Sequence, residues 1–367
     1  MDEQFLADKL LQRTNEGNLR RLSFTPNLKD FVSNDYLGLA NNEALKAIIN
    51  TEILASTYSH GSTGSRLLSG NNPLVCDFET YLADLFDAEA CLLFNSGYVA
   101  NLALVSAVAE KGDTILYDQL SHVCLKEGAW LSKADTFAFS HNDLDDLASR
   151  IKRAKGKIFV LTETIFSMDG DIAPIEKMVS LCAQYGCYLI VDEAHSTGIY
   201  GHYGSGLLAE MGLNQDVFGR VYTFGKAIGA HGACVAGSRL LIDYLINFAR
   251  PFIYTTALPP HAITTVRASF EYLKSNAHLP SSLQNNIDLF RSEFEPALSK
   301  TAIQPVIVGS NEKAKAISLS LKHAGFDVRP ILSPTVRKGS ERLRISLHTH
   351  NSEDDIMGLC SCLKRLL

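Results

Sequence analysis

Tyr188-Leu189-Ile190-Val191-Asp192-Glu193-Ala194-His195 is a short apolar run that stops at two carboxylates, with a histidine three positions after the first of them. Unbroken apolar character reads as a strand buried on both faces, because a half-exposed strand would alternate apolar and polar residues. Upstream, Ala173-Pro174 opens an amphipathic helical stretch that Gly186 can close, so the order is helix, turn, buried strand, polar end. The same order recurs. Asn72-Pro73 looks like a cap followed by proline in the first helical turn, and Leu74, Phe78, Tyr81, Leu82 and Leu85 follow at helical spacing. Cys91 to Phe94 then reads as a strand ending at Asn95-Ser96-Gly97, and Ile158 to Thr162 as another ending at Glu163. Buried strands alternating with helices predict an α/β fold with a mainly parallel sheet. Polar residues at the carboxyl ends of such strands are expected to converge on one ligand site.

Outward from this core the pattern changes. Residues 1–40 read as a helical arm leading into a short extended segment, Phe31 to Asn34, and residues 41–278 as the large α/β domain. Residues 279–367 read as a smaller α+β domain, with strands at Ile303 to Val308 and Leu343 to Leu347 between helices.

Bulk composition narrows the function classes. The 367 residues carry a formal charge of −6, with 46% hydrophobic and 20% charged residues. No basic run suits nucleic acid, and no apolar stretch reaches the roughly 18 residues a membrane span needs. The acidic start, Met1-Asp2-Glu3, lacks the order of a secretory signal, so the protein reads as cytoplasmic. Eight cysteines are scattered without Cys-x-x-Cys or zinc-type Cys/His spacing, which predicts free thiols and no metal.

Chemistry concentrates around Lys226, in Thr223-Phe224-Gly225-Lys226-Ala227-Ile228-Gly229, a lysine among small residues just after an apolar strand. Together with the strand-end carboxylate Asp192, it forms the pair that pyridoxal 5′-phosphate (PLP) requires. The amine forms a Schiff base, and the carboxylate keeps the pyridine nitrogen protonated so that the ring accepts electrons. Ser96-Gly97-Tyr98, at a strand-to-helix junction, offers the free N–H groups of a helix N-terminus to a phosphate. A nicotinamide site is disfavoured, because no Gly-x-Gly-x-x-Gly follows an early strand.

Four segments in this order, Ser33-Asn34-Asp35-Tyr36-Leu37-Gly38-Leu39, Phe94-Asn95-Ser96-Gly97-Tyr98, Asp192-Glu193-Ala194-His195-Ser196-Thr197-Gly198 and Thr223-Phe224-Gly225-Lys226, resemble those of the α-oxoamine synthases. These are fold-type I PLP-dependent transferases, aspartate aminotransferase-like in fold, that join an amino acid to an acyl thioester with loss of carbon dioxide. The resemblance covers nearly the whole chain. It implies that Lys226 carries the cofactor and moves the Cα proton, that Asp192 pairs with the pyridine nitrogen and His195 with the phenolic oxygen, and that His122 stacks on the ring and touches the substrate. Gly97, Tyr98, Ser167 and Thr223 match further cofactor contacts. Thr255 and Thr256 match a segment that reaches the phosphate from the partner subunit, which implies a homodimer with shared sites. Arg20, Asn34, Thr335 and Arg344 match substrate-end positions. Asp35 and the segment from Ala302 to Gly309 resemble the biotin-pathway branch, which implies L-alanine and pimeloyl-CoA or pimeloyl-acyl carrier protein as substrates. Branches using glycine with acetyl-CoA, or serine with palmitoyl-CoA, stay open at this point.

Overall fold

A computed structural model describes residues 1–22, 27–297 and 299–367. The chain divides into two compact units, one made of residues 37–167 and 171–280, the other of residues 1–36, 168–170 and 281–367.

The first unit is built on a seven-stranded sheet: β1 (Ala90–Phe94), β2 (Thr114–Asp118), β3 (Asp135–Phe139), β4 (Ile158–Glu163), β5 (Tyr188–Asp192), β6 (Gly219–Thr223) and β7 (Ala233–Gly237). Their order across the sheet is β1-β7-β6-β5-β4-β2-β3, and only β7 runs antiparallel to its neighbours. Ile115, Leu116, Val160, Leu161, Ile190, Val191, Val221 and Val235 are all buried, so both faces of the sheet are covered, as the unbroken apolar runs require. The expected helices are present with their punctuation. Pro73–Leu85 starts behind an Asn72 side chain that accepts from Val75 N, and Ile175–Tyr185 ends at Gly186, which adopts a left-handed φ of 65°. The buried guanidinium of Arg220 on β6 donates to the carbonyls of Phe86 (2.7 Å) and Asp87 (3.0 Å) just past the first of these helices. A cation thereby satisfies carbonyls that a helix C-terminus leaves open.

Because six strands point the same way, Asn95-Ser96-Gly97, Asp118, Glu163, Asp192 and the loop after Thr223 lie along one edge of the sheet. That edge is pinned at its far end by His141, whose ring nitrogens lie 2.9 Å from Asp118 Oδ1 and 2.6 Å from Asp171 Oδ2. Asp171 closes a short turn in which its carbonyl accepts from Phe166 N, next to Ser167.

In the second unit, β8 (Ile303–Ile307), β9 (Arg329–Ile331) and β10 (Arg342–Ser346) form an antiparallel sheet in the order β9-β10-β8, accompanied by helices Asn311–His323 and Glu353–Leu366. Helix Gln4–Asn15 begins the chain. The extended segment expected at Phe31 to Asn34 is instead an irregular turn that follows a two-residue strand, Lys29–Asp30. The cause is Asp30, whose Oδ1 accepts from Val32 N (2.8 Å) and Ser33 N (2.9 Å) and offers the backbone an alternative to a strand ladder. Asp30, His348 and His350 come close enough to suggest a metal group, but both His348 nitrogens already face protein partners, Ser33 O at 3.0 Å and Asn351 Oδ1 at 3.2 Å. Among the described residues no helix is long and apolar enough to cross a membrane.

The His141 clamp yields a stability prediction. Burial opposes the imidazolium, but hydrogen bonds to Asp118 and Asp171 outweigh it and push the pKa up to about 10. The stabilisation is therefore complete below the free histidine value of about 6.5 and is lost as pH rises through about 10. His141→Gln should lower the melting temperature by several degrees at pH 6.5, since a hydrogen bond to a charged group is worth about 1.5–3 kcal/mol. Thermal unfolding at pH 6.5, 8 and 10 should show the deficit shrinking, and a constant deficit would refute the clamp.

Candidate active site

The helix Gly97–Val108 begins directly after β1, with the Ser96 side chain accepting from Val99 N. Glycine is required at its first position, because a Cβ on Gly97 would run into the Thr223 side chain at the end of β6. The two strand ends thus pack together and leave the first-turn N–H groups as an anion cradle. Thr223 is buried, and its hydroxyl lies 3.4 Å from the Ala194 carbonyl.

Asp192 and Glu193 are neighbours with separate surroundings. Asp192, only 5% exposed, accepts from Ala194 N (2.8 Å) at Oδ1 and from Asn101 Nδ2 (2.6 Å) at Oδ2. Glu193 turns into the interior, where Leu207 N (3.0 Å), Leu208 N (2.7 Å), Thr164 and Ser196 all donate to it. Burial raises its pKa, and these four donors oppose the rise.

Lys226 Nζ lies 2.8 Å from His195 Nε2, so the amine has a proton partner at hand. His122 caps the helix Val123–Leu131, its Nδ1 accepting from Cys124 N at 3.3 Å. The Cys124 thiol, whose pKa is raised by burial and then by Asp192, stays protonated 2.9 Å from the same nitrogen. With Nδ1 serving as acceptor, the ring proton of neutral His122 sits on Nε2 and can be donated. Loss of surrounding water lowers the His122 pKa, Asp192 pulls it back up, and Lys226 and Lys126 lower it further, which favours the neutral ring. Tyr98 stands edge-on to this imidazole and donates to Glu127. Beneath His122, the buried Glu163 accepts its N–H at 2.5 Å, and burial with the charge of Asp192 pushes the Glu163 pKa up to about 8.

The other expected residues have surroundings of their own. Ser167 lies in the turn between the isolated bridge partners Ile165 and Ile172. Thr255 lines a hollow with Arg66, Phe94, Asn95 and Phe252, and the Thr256 carbonyl accepts from Asn95 Nδ2 at 3.0 Å. In the second unit, Arg344 on β10 donates to Asn34 Oδ1 (3.0 Å) and Ser346 Oγ (2.9 Å), while Arg20 donates to Thr335 Oγ1 at 3.3 Å. Sequence reading missed Asn101 and Cys124, and it assigned no role to Glu193. Glu163 was expected at the site from its place at a strand end, without a role of its own.

These residues fit PLP on their own chemistry. The cradle at Gly97 cannot take a Cβ, a half-buried lysine pairs with a histidine, and a carboxylate held by two donors acts on the same neighbours as that lysine.

Comparison with known proteins agrees. The family described as aminotransferase class I and II matches residues 26–361. An 8-amino-7-oxononanoate synthase from Cellvibrio japonicus is 38% identical over 344 residues, covering 92% of this chain and 86% of the relative. A serine palmitoyltransferase from S. paucimobilis, solved with a PLP–myriocin aldimine, superposes with a TM-score of 0.90 at 25% identity, covering 99% of this chain and 96% of that one. An 8-amino-7-oxononanoate synthase structure from Francisella tularensis gives 0.79 at 29% identity, covering 92% and 96%. Strand-end chemistry, fold and relatives lead to one assignment: the chain belongs to the aminotransferase class I and II family, as an α-oxoamine synthase-like transferase whose cofactor is pyridoxal 5′-phosphate.

Proposed function

We propose that the enzyme condenses L-alanine with a pimeloyl thioester, releasing carbon dioxide and the thiol, to give 8-amino-7-oxononanoate. The observation that carries this reading is the 38% identity, over most of both chains, to a relative named for that product. Serine palmitoyltransferase is the rival from the structural side, at lower identity.

When bound, PLP supplies an electron sink conjugated with the amino acid nitrogen, which makes the Cα–H and Cα–carboxylate bonds breakable. Asp192 holds the negative charge that keeps this sink protonated. Lys226 removes the Cα proton of alanine, with His195 2.8 Å away as its proton partner. The freed Cα attacks the thioester carbonyl, and the thiolate leaves. The His122 Nε2–H donates to the oxygen on which charge develops. The carboxylate then departs as carbon dioxide and Lys226 returns a proton to Cα. Arg344, a guanidinium oriented by Asn34 and Ser346, is assigned to the alanine carboxylate, and Arg20, Asn34 and Thr335 to the substrate ends. Thr255 and Thr256 are assigned to the phosphate of the partner subunit's site in a homodimer.

Three outcomes test this scheme. Offered alanine, glycine or serine against pimeloyl, acetyl and palmitoyl thioesters, the enzyme should turn over alanine with pimeloyl best, as read by product mass. A preference for serine with palmitoyl would transfer the assignment to the rival.

Lys226→Ala should lose the visible colour, the borohydride-reducible adduct and turnover. Mixed under subunit exchange with a Thr255→Ala/Thr256→Ala variant, it should regain activity in hybrid dimers. Exchange without recovery would place the threonines in their own chain's site.

His122→Phe keeps a ring but removes the donor. It should retain PLP while turnover falls about a hundredfold, the scale of one lost oxyanion donor. Near-normal turnover would mean that stacking suffices.

A further inference from the structure

Asn101 is an unusual residue for its place. It sits on the second turn of Gly97–Val108, a helix otherwise built there from Ala100, Ala103, Leu104 and Val105, and is only 1% exposed. Asparagine is a poor helix former, and a buried amide is costly unless it is hydrogen-bonded. Its two amide protons are both used, one on the Gly97 carbonyl at 3.0 Å and one on Asp192 Oδ2 at 2.6 Å. Its own oxygen is buried without a partner among the described residues. The position therefore exploits the donor end of the amide and tolerates the cost at the acceptor end. Rotating the amide would set its oxygen against a carboxylate oxygen, so the orientation is fixed by electrostatics.

We propose that Asn101 is the positioning residue for Asp192, coupling the phosphate cradle at Gly97 to the carboxylate that faces the pyridine nitrogen. A single side chain bonds the first turn of the cradle helix and the end of β5, 91 residues away in sequence. With Ala194 N on the other oxygen, the amide locks the plane of the carboxylate and leaves its charge available to the cofactor. This inference rests on the reading of Asp192 as the pyridine-nitrogen partner, and the two fail separately.

The test uses holoenzyme carrying Asn101→Leu, Asn101→Ser, Asp192→Asn, or Asn101→Leu with Asp192→Asn. Leucine keeps the volume and removes the donor, whereas serine is too short to reach Asp192 and guards against a folding defect in the leucine variant. Cofactor retention on dilution and the intensity of the visible band are measured, with melting temperature as the folding control. Both single Asn101 variants should hold PLP about tenfold less tightly, with a weakened band. The double variant should be no worse than Asp192→Asn alone, because an effect transmitted through Asp192 vanishes once its charge is gone. Additive losses in the double variant, or wild-type retention in both Asn101 variants beside an impaired Asp192→Asn, would overturn the positioning role. Wild-type retention in Asp192→Asn would overturn the reading of Asp192 and the inference with it.

Discussion

The carboxylate of Asp192 must be satisfied at a place almost closed to water. Burying a carboxylate costs several kcal/mol unless donors face its oxygens. Here the charge is held by Asn101 Nδ2 and Ala194 N. Its field then sets the state of its neighbours, adding to the burial that raises Glu163 and Cys124 and opposing the burial that lowers His122. The protonated thiol of Cys124 in turn fixes which nitrogen of His122 carries a proton. The protonation pattern of the site is thus one connected arrangement.

Geometry makes this possible at modest cost. Six strands deliver their ends to one edge, so residues far apart in sequence are placed by the rigid sheet rather than by long loops. Lys226, His195 and Asp192 each lie within a few residues of a strand end. Neighbouring strand ends are fastened as well: Glu163 takes the His122 backbone N–H, and the His141 ring joins Asp118 to Asp171. Side chains fixed in this way need little reorganisation when charge develops during the reaction.

Much of this was legible in the sequence, for a physical reason. Buried parallel strands are unbroken apolar runs, so the point where polarity returns, at Asp192 or after Phe94, marks the edge where the strands end without any knowledge of tertiary structure. The first-turn proline of Pro73–Leu85 and the glycine after Ile175–Tyr185 worked likewise, because caps act over a few residues. Asn101, Glu193 and His141 escaped because their meaning lies in partners that local pattern cannot supply. A lone asparagine in a helical stretch looks like any tolerated polar residue until Asp192 is seen beside it. Phe31 to Asn34 misled for the reverse reason: a local side-chain-to-backbone turn at Asp30 overrode an extended pattern.

Glu193, turned into the interior, has a consequence for strand registration. Because β5 is apolar on both faces, sliding it by one residue would exchange its two sides with little loss of burial, so hydrophobic alternation does not choose the alignment. That slip would bring Glu193 to the position Asp192 occupies and leave the longer carboxylate at the catalytic edge. The bonds that Glu193 accepts from Leu207, Leu208 and Thr164 tie it to other segments and fit one alignment. Gly206, with φ 103°, stands where a Cβ would come within 3.0 Å of the Glu193 carboxylate. The second carboxylate of the pair acts as a keyed joint: it lets a strand that could seat two ways seat in one, and so decides which acid stands at the edge of the sheet.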